Sequence, residues 1–311
     1  MKNIKQYMTD NKRIGYFGNS YLDYKLKGIN KGDLILIGSR TGAGKSTIAE
    51  FIATYNAHKG VKVTLISLEN FEGDNILNKA YYYYKLITGN SELHIRDFMC
   101  GEFDIDEDAL AQAENYAKDC YKNINLITRP PQGFTQEDLK ECLTDAKVNK
   151  NSELVIIDHL DYFDKLYRET DNEHITKLMN EIREAQYALK IPIVAISHLR
   201  KNGDRECIIP SIDEFIGSSN KAKQATIVIV FAPDDKLNEE RAGTWDNKLK
   251  STFCCVRKLR HGGCDNTVGR LEYDTRKGEY SDFWAEHKIN YYGTKISENP
   301  INTSKQEEEY A

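Results

Sequence analysis

A glycine-rich segment near the start of the chain has the composition of a phosphate-binding loop. It spans residues 38–47 with the sequence GSRTGAGKST, and its small residues let backbone N–H groups curl around phosphate oxygens. A helix beginning near Ser46 would add the positive end of its dipole. In such loops the lysine, here Lys45, reaches the β- and γ-phosphates, and the hydroxyl, here that of Ser46, binds Mg²⁺. The alternative is an ordinary glycine-rich turn before a helix.

The elements on either side of this segment favour the phosphate loop. The apolar strand pattern DLILIG precedes it, and Ile48, Phe51, Ile52 and Tyr55 follow at helical spacing. The pattern GxxxxGK[ST] is met except at its first glycine, where this chain has Ser39. The loop residues that we predict to bind the nucleotide are Ser39, Arg40, Thr41, Gly42, Ala43, Gly44, Lys45, Ser46 and Thr47.

Three further strand patterns end in polar side chains that suit nucleotide hydrolysis. In open α/β sheets, ligands bind at the carboxyl ends of the strands. Asp158 ends the run ELVIID and is predicted to hold Mg²⁺ together with Ser46. Glu69 follows VKVTLIS and is predicted to act as the general base on the attacking water. His198 follows IPIVAIS, next to the expected position of a γ-phosphate.

Each of these polar side chains also has a structural interpretation. Glu69 could cap a helix that begins near Phe71. A lone histidine is more often a hydrogen-bonded structural group than a catalytic one, which applies to His198 and more strongly to His159. Asp158 is the hardest to explain as a surface residue, because an apolar run leads directly into it.

Strand and helix patterns alternate along most of the chain, which indicates an α/β protein. The predicted strands are apolar on both faces, so we expect a mainly parallel central sheet covered by helices on both faces. The segments TFCCV, VGRLEY and EYSDF differ and predict an antiparallel extension of the sheet at its C-terminal end. The predicted strands of the parallel part lie at 33–38, 61–67, 124–127, 153–158, 191–197 and 226–231.

Composition and charge exclude several classes of protein. No apolar run approaches the roughly 18 residues that span a bilayer, and the first residues lack the apolar core of a signal peptide, so we expect a cytoplasmic location in a bacterial or infected host cell. The seven cysteines contain no CxxC pair, which argues against a zinc module and a disulfide framework. The net charge of −5 requires any nucleic-acid contact to use locally concentrated basic residues.

The chain has no proline- and glycine-rich linker in its middle, and we predict one large domain over residues 31–286. Residues 1–30 are polar and lysine-rich and are predicted to form a leader with little core, or a helix that packs on a neighbouring subunit. Residues 287–311 are predicted to form a polar acidic tail. The tyrosine run Tyr81–Tyr84 lies within a predicted helix and is expected to pack rather than to stack on bases.

An ordered set of motifs resembles the ATPase domain of DnaB-like hexameric replicative helicases, including phage primase-helicases. The resemblance covers about residues 20–285 and implies a RecA-like P-loop NTPase fold. The phosphate loop alone is shared by many NTPases, whereas the ordered set with its strand–KLRHGG–strand ending is much more specific. The motifs are GSRTGAGKST, ISLEN, VIIDHLDYF, PIVAISHLRKNGD, PSIDEFIGSSNKAKQATIVIV, VRKLRHGG and GRLEYDTRKGEYS.

The resemblance implies the same roles for the nucleotide-site residues and adds two more. Lys45 and Ser46 match the phosphate and Mg²⁺ ligands, Glu69 the catalytic base, Asp158 the Mg²⁺-associated carboxylate, and His198 the residue that senses the γ-phosphate. Arg260 matches the arginine finger that reaches the nucleotide of the neighbouring subunit, and Lys258 matches the lysine that accompanies it. A guanidinium there would stabilise transition-state charge. The alternative for KLRHGG is a basic turn between two strands.

The chain departs from the family pattern in the region that implies DNA contact. The family usually has an aspartate where this chain has Thr226, and often an arginine where it has Ile216. Two basic segments, 199–205 and 221–223, match loops that line the central channel and hold the phosphates of single-stranded DNA. Charged loops are often merely solvated, which is the alternative. The predicted DNA contacts are Arg200, Lys201, Asn202, Arg205, Lys221 and Lys223.

The hypothesis that follows is an ATP- and Mg²⁺-dependent helicase that translocates on single-stranded DNA as a homo-oligomeric, hexameric ring. Primase, polymerase or single-strand-binding protein are the partners that the resemblance implies. Two other classes stay open. One is a RecA/RadA-like recombination ATPase, and the other is an ATP-switched regulatory protein without motor activity.

Overall fold

The computed structural model describes residues 4–40, 44–165, 168–200, 208–215, 218–244, 248–290 and 292–304. The helices are α1 Ile4–Asp10, α2 Ser20–Leu26, α3 Lys45–His58, α4 Glu72–Thr88, α5 Ile95–Cys100, α6 Glu107–Tyr121, α7 Gln136–Val148, α8 Asp171–Leu189, α9 Ser218–Gln224 and α10 Asp235–Arg241. The strands are β1 Arg13–Gly15, β2 Ile29–Asn30, β3 Leu34–Ser39, β4 Val63–Ser67, β5 Ile124–Thr128, β6 Leu154–Asp158, β7 Ile193–His198, β8 Ile227–Pro233, β9 Leu249–Leu259, β10 Thr267–Asp274, β11 Glu279–Lys288 and β12 Asn302–Thr303.

One large sheet organises the described part of the chain, and its parallel portion confirms the prediction. Its strand order is β12-β11-β10-β9-β8-β3-β7-β6-β4-β5. The six strands from β8 to β5 are parallel, with Ser39 opposite His198 and Ser67 opposite Asp158. Because parallel strands end at the same edge, this register brings four separated segments together at one edge of the sheet.

The other portion of the sheet is antiparallel, also as predicted. Strands β9, β10, β11 and β12 are each antiparallel to their neighbours, and β9 joins this portion to β8. Leu259, at the end of β9, lies opposite Ile227, at the start of β8. The residues after β9 therefore lie at the opposite edge of the sheet from the carboxyl ends of the parallel strands.

Helices cover both faces of the sheet, because each parallel strand points apolar side chains to both sides. One face packs against α7 and α8 through residues such as Leu139 and Leu178. The other packs against α3 and α2 through residues such as Ile52 and Leu22. A smaller core joins α4, α5 and α6 and includes Tyr81 and Tyr84, so both ends of the tyrosine run are packed. No helix among the described residues is long and apolar enough to span a bilayer.

Residues on both sides of the predicted domain of residues 31–286 also pack in the described structure. Residues 17–30 belong to the core, since Phe17 and Tyr21 are each only 1% exposed. The ring of Tyr21 lies 5.6 Å from that of Trp284 on β11, and a methyl group at Gly269 would collide with it. At the other end β11 continues past residue 286, and β12 pairs with it. Both segments are polar in overall composition, so the sequence did not indicate that they are buried. A few large side chains supply their buried surface.

Candidate nucleotide-binding and catalytic site

The phosphate loop leaves β3 and enters α3 through a left-handed glycine. Gly44 has φ of 71°, a conformation that favours glycine, and the helix begins at the next residue, Lys45. The first N–H groups of a helix have no partner within it and are available to an anion. Lys45 is buried, and its Nζ lies 3.4 Å from the carbonyl oxygen of Arg40. The predicted ligands Thr41, Gly42 and Ala43 lie outside the described residues.

Burial lowers the pKa of the Lys45 ammonium, while the carboxylates of Glu69 and Asp158 raise it. The lysine therefore sits beside two acidic groups at the base of the loop. A polyanionic ligand would supply the negative charge that a buried ammonium needs. This arrangement agrees with the predicted phosphate-binding role of Lys45.

Asp158 and Ser46 form the candidate Mg²⁺ site. Asp158 is 2% exposed, and its Oδ1 atom has no hydrogen-bond partner among the described residues. Burial raises the pKa of this carboxyl to about 6, although a hydrogen bond with Ser46 lowers it. A buried carboxylate oxygen without a partner beside a hydroxyl is a donor set that Mg²⁺ prefers. The residues present therefore fit the predicted ion.

Glu69 lies where a base for the attacking water is expected. Its Oε2 is 3.4 Å from Ser46 Oγ and 3.8 Å from His159 Nε2, and the side chain is 43% exposed. The cap of α4 is at Phe71, whose N–H donates to Asp74. The carboxylate of Glu69 thus faces the candidate metal site rather than the helix, and the capping alternative does not describe its position.

Two histidines and one aspartate lie side by side at the ends of β6 and β7. His159 Nε2 is 2.9 Å from His198 Nε2, and Asp161 Oδ2 accepts a hydrogen bond of 2.8 Å from the backbone N–H of His198. Burial lowers the pKa of His198, and the neighbouring His159 and Lys45 lower it further. These effects favour the neutral imidazole, which can donate a hydrogen bond to a phosphate oxygen. Sequence reasoning missed Asp161, although VIIDHLDYF places it three residues after Asp158.

The prediction that Lys221 contacts DNA is wrong for this conformation. Lys221 is fully buried, and its Nζ donates to Asp161 Oδ1 at 3.0 Å and to Ser197 Oγ at 2.7 Å. Burial tends to raise the pKa of Asp161, but the hydrogen bond with His159 and the charge of Lys221 together hold it below its usual value. A lysine held in this way has no free ammonium for a DNA phosphate.

Of the other predicted DNA contacts, some are exposed in the structure and the rest lie outside the described residues. Arg200 and Lys223 are exposed. Lys201, Asn202 and Arg205 lie outside the described residues.

A second acidic residue that sequence reasoning missed connects the phosphate loop to the segment before α9. Glu214 is buried and forms an ion pair with Arg40 at 3.3 Å. Its carbonyl oxygen accepts a 2.7 Å hydrogen bond from the N–H of Arg200. The ring of Phe215 lies so close to Gly38 that a methyl group there would overlap it. The spacing of Ser211 and Glu214 as a capping box was the available signal.

Arg260 and Lys258 lie at the edge of the sheet opposite the phosphate loop. Arg260 is exposed, and its N–H donates to the carbonyl of Thr226, which precedes β8. The six residues of β3 separate this edge from the loop, a distance of roughly 17 Å. The Nζ of Lys258 lies within hydrogen-bond distance of three carbonyl oxygens near the end of α9, those of Ala222, Lys223 and Ala225. Within its own chain, the ammonium of Lys258 therefore binds the end of α9.

Thr226 explains one departure from the family pattern. Its Oγ1 accepts a hydrogen bond from Leu34 N at 3.0 Å and lies 3.4 Å from Asp33 Oδ1. The hydroxyl therefore joins the starts of β8 and β3. Ile216, the other departure, lies outside the described residues.

The parallel sheet, the loop before α3 and the acidic residues at the neighbouring strand ends define the fold and site of a RecA-like P-loop ATPase. Comparison with known proteins narrows the class. Residues 17–282 match the family model for the DnaB-like helicase C terminal domain. The match covers most of the chain, which therefore belongs to this family.

Individual relatives agree with that assignment. The chain is 25% identical to the replicative DNA helicase DnaB of Helicobacter pylori (strain ATCC 700392 / 26695) over 270 residues, which cover 80% of this chain and 52% of that protein. It is 23% identical over 241 residues to the DnaB of Buchnera aphidicola subsp. Baizongia pistaciae (strain Bp), covering 76% of this chain and 50% of that protein. The chain thus spans about half the length of these relatives.

Solved structures show the same fold. A chain described as an ATPase domain superimposes with a TM-score of 0.70 at 16% identity, covering 89% of this chain and 95% of that one. A DnaB-like replicative helicase whose structure was described with its primase interactions superimposes with a TM-score of 0.71 at 17% identity. That match covers 89% of this chain and 65% of the other. The RecA-like fold expected from the sequence is confirmed.

Proposed function

We propose that this chain is the ATPase motor of a ring-shaped replicative DNA helicase, which hydrolyses ATP with Mg²⁺ and translocates on single-stranded DNA. The observation that carries the proposal is the position of Arg260. It is exposed at the edge of the sheet away from the subunit's own phosphate loop, so it suits a nucleotide bound by a neighbour. A site completed in this way requires a ring or a filament.

Within one subunit, each of the side chains at the carboxyl edge of the sheet has a separate role in hydrolysis. Lys45 and the N-terminus of α3 hold the phosphates, and Glu69 accepts the proton of the attacking water. Ser46 and Asp158 would hold Mg²⁺, which would supply positive charge against the phosphates. His198 donates to the γ-phosphate from its neutral imidazole. Arg260 of the neighbour stabilises the charge that develops in the transition state.

Assembly is assigned to α1, and DNA binding to the loop that leaves the carboxyl end of β7 and to Lys223 on α9. Helix α1 exposes Ile4 and Met8, which are 78% and 70% exposed and lie four residues apart on one face. We assign α1 to contact with a neighbouring subunit in a hexameric ring. Arg200, Lys201, Asn202, Arg205 and Lys223 are assigned to the phosphates of single-stranded DNA. The relative whose structure includes primase interactions makes primase the first partner to test.

The test measures ATP hydrolysis by the full chain with and without single-stranded DNA, and separation of a forked duplex. We expect DNA-stimulated hydrolysis and ATP-dependent unwinding. Lys45→Ala should abolish both and leave the thermal unfolding midpoint within a few degrees, because the substitution removes an ammonium whose charged form burial disfavours. The matched control is Lys150→Ala, at an exposed position between α7 and β6.

Other outcomes would replace the proposal with one of its rivals. Hydrolysis with strand exchange but no unwinding would indicate a recombination ATPase. ATP binding without DNA stimulation would indicate a regulatory switch. Hydrolysis by Lys45→Ala at the rate of the unchanged chain would refute the phosphate-loop assignment itself.

A further inference from the structure

Helix α9 is tied to the nucleotide site by a lysine of its own. Lys221 is fully buried, and its Nζ lies 3.0 Å from Asp161 Oδ1 and 2.7 Å from Ser197 Oγ. Ser197 immediately precedes the sensor residue His198. The other oxygen of Asp161 accepts the N–H of His198 at 2.8 Å. One carboxylate therefore binds both the sensor strand and α9.

The same helix is tied to strand β9 by a second lysine. Lys258 Nζ lies 2.6, 3.1 and 2.7 Å from the carbonyl oxygens of Ala222, Lys223 and Ala225. Carbonyls in the last turn of a helix have no partner within it and attract a cation. Lys258 lies near the end of β9, two residues before Arg260. The end of α9 is thus bound to the segment that presents the arginine.

These two attachments lie toward opposite edges of the sheet. Ser197 is aligned with Gly38 at the carboxyl edge, whereas Lys258 is aligned with Val228 at the start of β8. Helix α9, with Lys221 at one attachment and Lys258 of β9 at the other, therefore connects the subunit's own nucleotide site to the base of Arg260. Among the described residues, this is a continuous chain of hydrogen bonds and ion pairs between the two edges.

The chemistry of the Lys221–Asp161 pair favours a positioning role over a purely stabilising one. A buried ion pair can often be replaced by apolar side chains of similar volume without loss of stability. Such a pair does impose a definite geometry on the groups that it joins. Here the geometry relates a helix to the residue that faces the γ-phosphate.

We propose that α9 couples the nucleotide pocket of its own subunit to Arg260, and so to the pocket of the neighbouring subunit. The inference rests on the proposed function, in which Arg260 completes the neighbouring site. Nucleotide at the first pocket displaces His198 and Asp161, Lys221 carries the displacement to α9, and Lys258 carries it to β9. Lys221 and Lys258 are positioning residues in this scheme.

Amide hydrogen exchange of the full chain, with Mg²⁺ and a non-hydrolysable ATP analogue, tests the coupling. In the unchanged chain, nucleotide should slow exchange in α3, in α9 and at the end of β9. Lys221→Met keeps the length of the side chain and removes its charge. It should keep the effect in α3 and reduce the effects in α9 and β9 by about tenfold, as expected for a lost coupling of ordinary size. Lys250→Met, at an exposed position on β9, is the matched control and should behave as the unchanged chain does.

Lys258→Met provides a second variant at a half-buried position, where folding is less at risk. It should keep the nucleotide effect in α3 and α9 and lose it at the end of β9. Lys221→Arg, which keeps the charge, should restore part of the effect that Lys221→Met loses.

The outcomes separate this inference from the function on which it rests. Absence of any nucleotide effect in α3 would refute ATP binding and with it the proposed function. A normal effect in α3 together with equal effects in α9 for the unchanged chain and Lys221→Met would overturn the coupling alone.

Discussion

The parallel and antiparallel portions of the sheet contribute to nucleotide chemistry in different ways. The parallel strands β3, β4, β6 and β7 end at one edge, where their last residues and the loops that follow build a pocket from four separate segments. The antiparallel strand β9 runs the other way and delivers Arg260 to the opposite edge. Strand direction alone thus separates the pocket of a subunit from the arginine that we propose it offers to a neighbour.

This difference predicts different effects of substitutions in the two portions of the sheet. The pocket depends on buried groups that hold one another, such as Asp158, Lys45 and His198. Arg260 is an exposed side chain directly after β9, and its proposed function depends on where a neighbour lies. A substitution in the pocket should therefore inactivate the chain that carries it, and no other chain should restore that activity. Hydrolysis lost through substitution of Arg260 should be restored by a neighbouring chain that keeps the arginine.

The largest effect that separates the two portions is expected for Arg260→Ala. The variant should bind ATP normally and hydrolyse it roughly 10³-fold more slowly, because the transition-state charge loses its guanidinium. Mixing it with Lys45→Ala chains, which keep Arg260 but have an inactive pocket, should restore part of the activity. Hydrolysis rates of the mixture report the result, and energy transfer between labelled chains establishes that subunits exchange.

Lys250→Ala on β9 is the control for this experiment and should hydrolyse ATP normally. If chains exchange and the mixture stays as inactive as its parents, Arg260 does not act between subunits in the way proposed. Full activity of Arg260→Ala alone would remove the arginine from the mechanism.

A smaller effect is expected in the pocket itself for Glu69→Gln. The amide keeps the shape of the side chain but cannot accept a proton from water, so turnover should fall by roughly 10²-fold or more. Nucleotide affinity, measured by fluorescence of a labelled ATP analogue, should be nearly unchanged. Mixing with Lys45→Ala should not restore activity, in contrast to Arg260→Ala.

Glu114→Gln on α6 makes the same chemical change at an exposed position and should have no effect. Unchanged turnover in Glu69→Gln would mean that another group serves as the base.

The smallest effect is expected for the basic loop after β7. Replacing Arg200, Lys201 and Arg205 with alanine should weaken binding of single-stranded DNA and reduce the slope of log affinity against log salt by roughly 0.7 for each lost phosphate contact. The basal hydrolysis rate without DNA should persist, because the loop follows the sensor strand rather than forming the pocket. A fluorescence titration at several salt concentrations measures the slope.

The triple replacement Lys118, Lys122 and Lys150 to alanine removes the same charge from exposed positions elsewhere and should leave the slope unchanged. An equal slope in the loop variant and the unchanged chain would place the DNA contact on other residues.

Local sequence patterns were sufficient for the strands, the phosphate loop and the acidic strand ends. Runs such as DLILIG and ELVIID are apolar on both faces, and that composition suits a strand buried in a parallel sheet. Once the sheet is parallel, the residues at the strand ends must share one edge. This is why the placement of Asp158 and His198 at one edge could be predicted from the sequence.

The roles of the lysines could not be predicted in this way. Lys221 and Lys223 lie two residues apart on one short helix, yet the first is fully buried and the second is exposed. Their difference depends on which face of α9 meets Asp161, a residue 60 positions away in the chain. Lys258 likewise has its partners on another element.

The sequence by itself determined the class of fold and the polar side chains that end its parallel strands, because periodicity and strand polarity are local properties of the chain. Only the tertiary structure decided that residues 17–30 belong to the core, that Glu214 binds Arg40, and that Lys221 is enclosed. Burial of a long polar side chain depends on whether a partner of opposite charge lies within reach after folding. That condition is set by packing between distant segments, which no local pattern of residues records.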